Sequence, residues 1–221
     1  MPHVDWVDLV RARAQPARGV RAIPGRRHAA PLRQPGVPGS AEVDPASPLA
    51  ACQDDEVLIV RATKKLLQRI GPPTLREGED STTLLGQWYA TALPWRPQVA
   101  LLVNESTLLP VLMPLAPAAT LLARIAEQVG VVLAAHGAPD TVIDDELQRM
   151  RDWRLAGTAN RSVVGIMNEF AFLATTHRDK GGQQDLLDLS LQLAKTPCSP
   201  LYRKNVSPDR ELAALLRSIA T

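Results

Sequence analysis

The chain has 221 residues, enough for one domain with an extension and too few for two large domains. Its 25 basic and 23 acidic residues leave a formal charge of +2, so net charge alone points to neither nucleic acid nor a membrane surface. Two cysteines, Cys52 and Cys198, exclude a disulfide framework and a multi-cysteine zinc site, and a reducing cytoplasm is the expected setting.

Residues 1–55 read as a disordered N-terminal extension. Arg11, Arg13, Arg18, Arg21, Arg26, Arg27 and Arg33 occur there among prolines and glycines without a hydrophobic period. Such a segment buries too little apolar surface to offset the entropy of ordering it. A start assigned too early in a GC-rich frame accounts for the same composition. The remaining stretch, 56–221, reads as a single α+β domain.

Order is expected from Val57. The run Val57–Val60 predicts a strand, followed by Thr63 as a helix N-cap, an amphipathic turn over Lys64–Ile70 and Gly71 as its stop. Ser81-Thr82-Thr83 resembles a hydroxyl cap and predicts a short helix through Trp88 and Tyr89. Val99–Val103 and Thr107–Met113, joined by Asn104-Glu105-Ser106, predict a hairpin. Pro110 and Pro114 make its second strand an edge or a bulge, because proline cannot donate to a ladder. Pro117 opens a helix carrying Leu121, Leu122, Ile125, Val129, Val132 and Leu133 and closing at His136-Gly137. Asp140 or Thr141 caps the next. Further helices are expected from Ser162, over Gln183–Ala194 and over Pro208–Ile219, the last two joined by the rigid Thr196–Tyr202 loop. The expected architecture is a small antiparallel sheet, the N-terminal strand plus the β-hairpin, covered by four to five helices.

The segment Thr158–Phe172 concentrates the functional signal. At about 100° per residue, Val163, Val164, Met167, Phe170, Ala171 and Ala174 form a core stripe, and Arg161, Gly165, Asn168 and Phe172 share the opposite arc. Arg161 can hold a carboxylate or phosphate bidentately, Asn168 offers a donor and acceptor pair, and helix N-terminal amides add positive potential. Asn160, Arg161, Ser162 and Asn168 are therefore the candidate ligand-binding residues. Against this stands a purely structural account, in which Asn160 caps the helix, Arg161 pairs with Glu169 and Gly165 admits a packed helix.

Other chemistry is sparse. His136 fits a helix-dipole role, His177 is an acid or base candidate, and Asp144, Asp145 and Glu146 fit either metal-assisted hydrolysis or complementation of a helix dipole. Cys198, between prolines, reads as a buried small hydrophobe. Gly181-Gly182 lacks the surrounding pattern of a phosphate loop, and no cofactor or metal motif occurs. Lys64, Lys65 and Arg69, with Arg178, Lys180, Arg203, Lys204, Arg210 and Arg217, would serve nucleic acid only if the fold gathered them.

Several short motifs carry a family resemblance: Arg61-Ala62-Thr63-Lys64-Lys65-Leu66-Leu67, Ser81-Thr82-Thr83 with Leu85-Gly86-x-Trp88-Tyr89, Thr158–Val163 with Gly165 and Asn168, and Thr196-Pro197-Cys198-x-Pro200-Leu201-Tyr202. Over residues ~57–217 the chain resembles an uncharacterised bacterial family known as a domain of unknown function. The resemblance implies an α+β domain and carries no activity. Together the residues favour a non-catalytic binding module for an anionic group on a small molecule, a nucleic acid or a protein, with no membrane partner. The alternatives are a hydrolase or nuclease using His177 or the Asp144–Glu146 acids, and an interaction or assembly module.

Overall fold

The computed structural model describes residues 56–181 and 185–219. The extension 1–55, Cys52, Gly182 and Gln183 lie outside the described residues. In chain order the strands are β1 (Val57–Ala62), β2 (Trp88–Leu93), β3 (Val99–Asn104), β4 (Pro110–Pro114) and β5 (Asp152–Gly157). The helices are α1 (Lys64–Ile70), α2 (Leu121–Ala135), α3 (Asp140–Arg149), α4 (Arg161–Gly181), α5 (Leu186–Ala194) and α6 (Pro208–Ile219).

The five strands form one sheet in the order β4-β3-β2-β1-β5. β1 runs parallel to β2 and to β5, and β2-β3-β4 is an antiparallel meander. The sheet is therefore mixed, which corrects the expected small antiparallel sheet, and among the described residues six α-helices cover it where four to five were expected. Two strands account for the difference. Trp88 and Tyr89 belong to central β2 and not to a helix, and Asp152–Gly157 pairs along the whole of β1. The hairpin stands as expected, with β4 and its two prolines at the edge.

Alternation along the strands sends side chains to two cores. On the first face Leu58, Val60, Trp88, Ala90, Leu102, Val111 and Leu155 pack with Leu66 of α1, Ile125 and Val129 of α2, Ile143 of α3 and Leu212 of α6. On the second, Tyr89, Leu93, Leu101, Val103 and Leu112 pack with Val163, Met167, Phe170 and Ala174 of α4 and Leu189 and Leu193 of α5. With its leading turn, α2 makes an apolar run, Ala118–Ala135, long enough by composition to cross a membrane. Here its stripe of Leu121, Ile125, Val129, Val132 and Leu133 is buried in the first core.

Both sheet edges are occupied. The Leu112 amide on the outer side of β4 donates to Ser190 Oγ of α5 at 2.8 Å. On β5, Leu155 donates to Thr74 Oγ1 at 2.9 Å, and its carbonyl accepts from the Thr74 and Leu75 amides. These bonds satisfy backbone groups that an open edge would leave to another chain.

Candidate functional site

The C-terminal ends of β1 and β5 meet where Ala62 pairs with Gly157. From β1 the chain passes to α1 on the first face; from β5 it passes through Thr158-Ala159-Asn160 to α4 on the second. Adjacent parallel strands whose connections leave for opposite faces are where ligand crevices form in open α/β sheets.

At this point Asn160 organises the start of α4. Its Oδ1 accepts from the Ser162 amide at 3.0 Å and the Val163 amide at 3.4 Å, which is N-cap geometry. Its own amide donates to Tyr89 Oη at 3.0 Å, and its Nδ2 donates to Glu105 Oε1 at 3.1 Å. Tyr89 Oη donates to the same Glu105 oxygen at 3.2 Å. Burial, first of all, pushes the Tyr89 phenol above its ordinary pKa, so it serves this network as a neutral donor. Arg61 extends the network: its Nε donates to Gln87 Oε1 and its Nη1 to the Gly157 carbonyl at 3.3 Å. Thus β1, β2, the β3–β4 turn and the α4 entry are tied together by side chains far apart in sequence.

The other candidate residues project outward. Arg161, Ser162, Gly165 and Asn168 are exposed, and Phe172 is 71 % exposed. No hydrogen bond or ion pair engages the Arg161 or Asn168 side chain among the described residues, so the envisaged pairing of Arg161 with Glu169 is not formed. A methyl group at Gly165 would meet nothing within 4 Å, and no helix packs there. The core stripe is as expected, with Val163, Met167, Phe170 and Ala174 buried and Val164 and Ala171 packed beside them.

The residues of the hydrolytic alternative do not gather. Asp144–Glu146 lie on α3 over the first face and His177 on α4 over the second. Asp145 pairs with Arg149 at 3.2 Å. Glu146 is fully buried, its Oε2 accepts from the Leu84 amide at 2.6 Å, and burial raises its pKa to about 7. His136 caps the C-terminal end of α2, as expected, and burial lowers its pKa. Cys198 is buried, as expected, and burial pushes its thiol up to about 12. Several basic groups are already engaged: Arg69 with Gln98, Lys204 with Glu211, and Arg178 stacked 4.8 Å above the Trp95 ring.

Nothing in the local sequence pattern marks Glu105, Tyr89, Gln87 and Arg61 as neighbours of Asn160. The only local signal was the turn-forming Asn104-Glu105-Ser106. No curated protein and no solved structure matches this chain. The family model for the domain of unknown function DUF6933 matches residues 59–211, which contain the Arg61 network, the Asn160 cap and all of α4, and the chain belongs to that family.

Proposed function

We propose that the domain binds an anionic group at the N-terminal end of α4, with Arg161 as the charged contact, Ser162 and Asn168 as polar contacts and Asn160 holding the helix end in shape. The observation that carries this reading is an exposed Arg161, without a side-chain partner among the described residues, beginning a capped 21-residue helix where β1 and β5 send their connections to opposite faces. The helix end supplies positive potential, and a guanidinium with no partner among the described residues is available for a bidentate contact. Arg61 adds a second positive charge beside the entry, braced by Gln87 and the Gly157 carbonyl. The polar groups behind the helix end are occupied in bonding one another, which suits a fixed recognition surface.

Titration calorimetry with phosphate and carboxylate monoanions and a short oligonucleotide tests the reading on wild type and Arg161→Ala. Loss of a charge-assisted contact worth roughly 1.5–3 kcal/mol weakens binding by about tenfold to a hundredfold. Equal affinity in the two proteins, with unchanged urea unfolding, rules it out. One observation favours a second reading, assembly through this face: Phe172 lies 71 % exposed on the same arc. That reading requires concentration-dependent self-association in light scattering, abolished by Phe172→Ala.

A further inference from the structure

Beside the Asn160 network lies a cleft of about 290 Å³ lined by Asp80, Ser81, Leu85, Gly86, Gln87, Glu105 and Ser106. One wall is the segment between α1 and β2, the other the β3–β4 turn. They are fastened by Asn104, a fully buried side chain. Its Nδ2 donates to the carbonyls of Leu85 at 2.9 Å and Gln87 at 3.3 Å, while its Oδ1 accepts from the amides and hydroxyls of Ser106 and Thr107. The Glu105 amide closes the joint by donating to the Gln87 carbonyl at 2.9 Å. The cleft is therefore built before any ligand arrives, and its volume is near the lower bound of small-molecule sites.

Its lining is unbalanced in charge. Glu105 is half-buried and receives two neutral donors, Tyr89 Oη and Asn160 Nδ2, both on Oε1. Oε2 has no partner, and no cation pairs with Glu105 or with Asp80 among the described residues. The nearby hydroxyls are committed: Ser106 Oγ donates toward Leu85 O and Asn104 Oδ1, and Ser81 Oγ toward the Val57 carbonyl. Arg61 is not part of the lining; its guanidinium, held by Gln87 and the Gly157 carbonyl, keeps its charge on the far side of Gln87. What the cleft offers an entering group is a mainly apolar lining with the Glu105 carboxylate in its wall and the exposed Asp80 at its rim. A compact group with several N–H donors and one positive charge complements it.

We propose that this cleft is a binding site for a primary ammonium group on a small ligand, with Glu105 as its charged acceptor and Asp80 as the second carboxylate at the rim. The site adjoins the end of α4 through Glu105, whose Oε1 holds Asn160 Nδ2, but it takes a ligand of the opposite charge and does not need Arg161. Butylammonium chloride, with butan-1-ol as the neutral control of similar shape, is titrated into isotopically labelled full-length protein while backbone amide signals are followed. The expected result is saturable movement of the Gly86, Gln87 and Ser106 signals with butylammonium and none of comparable size with butan-1-ol. Glu105→Gln keeps an oxygen for Tyr89 and Asn160 but removes the charge, and weakens butylammonium binding by about tenfold. Asp80→Asn, at an exposed loop position that does not disturb folding, weakens it about threefold. Equal response to the alcohol, or binding to both variants within about twofold of wild type, overturns the proposal.

Discussion

Glu146 couples the stability of the fold to pH. Its carboxyl is fully buried on α3, with Oε2 held by the Leu84 amide and Oε1 without a partner. Burial is the dominant influence and raises its pKa from 4.5 to about 7; the Leu84 and Leu85 amides and Arg149 oppose the shift, and Asp145 adds to it. The folded state thus holds this proton more tightly than the unfolded chain does. Between about pH 4.5 and pH 7 the unfolded carboxyl is ionised while the folded one is still protonated, so raising the pH drains stability until the folded pKa is passed. At about 1.4 kcal/mol per pH unit the whole effect is about 3 kcal/mol, an order-of-magnitude figure. Replacing Glu146 with Gln preserves shape and removes the titration. Urea unfolding of both proteins at pH 5, 6, 7 and 8 should therefore show the Gln variant gaining on wild type by about 2–3 kcal/mol across the range, then levelling off. Parallel stability curves would refute the reasoning and place the carboxyl in contact with water.

Three further outcomes follow from packing and burial. Ser190→Ala leaves the Leu112 amide of the edge strand without its acceptor and costs about 1–3 kcal/mol in urea unfolding, with m unchanged. Two phenylalanines on α4 should differ sharply: Phe170→Ala, in the second core, costs about 3–5 kcal/mol, whereas Phe172→Ala stays within about 0.5 kcal/mol, as read by thermal unfolding at one protein concentration. The Cys198 thiol, raised by burial foremost and then by Glu169, should resist a thiol reagent at pH 8 in native protein and label at the rate of unfolding; peptide mass spectrometry reads this at that one position.

The legible parts of the fold are those written in local periodicity. The two faces of α4 followed from 3.6-residue spacing, and the hairpin from two apolar runs around a turn. The strand β2 was obscured because it is central and buried on both faces, so Trp88–Leu93 shows no alternation, while Leu85 and Trp88 sit three apart as on a helix. β5 was obscured for the opposite reason. Asp152, Trp153 and Gly157 are exposed, and this edge strand is secured by parallel pairing with a segment almost a hundred residues earlier. Asn160 as a helix cap was readable in place, but the bond from its side chain to Glu105 spans 55 residues and the one from Arg61 to Gln87 spans 26. Such contacts are set by strand order, which no local pattern encodes.

The bonds at Leu112 and Leu155 bear on how other molecules can approach this domain. A peptide seeking to extend the sheet would have to evict the Ser190 hydroxyl from one rim or Thr74 and Leu75 from the other before making its first main-chain bond. Recruitment by strand addition is thereby disfavoured at the middle of both rims, and the same blockade hinders copies of the chain from stacking edge to edge. Partners are steered toward helix surfaces and loops, where recognition depends on side-chain chemistry instead of backbone templating.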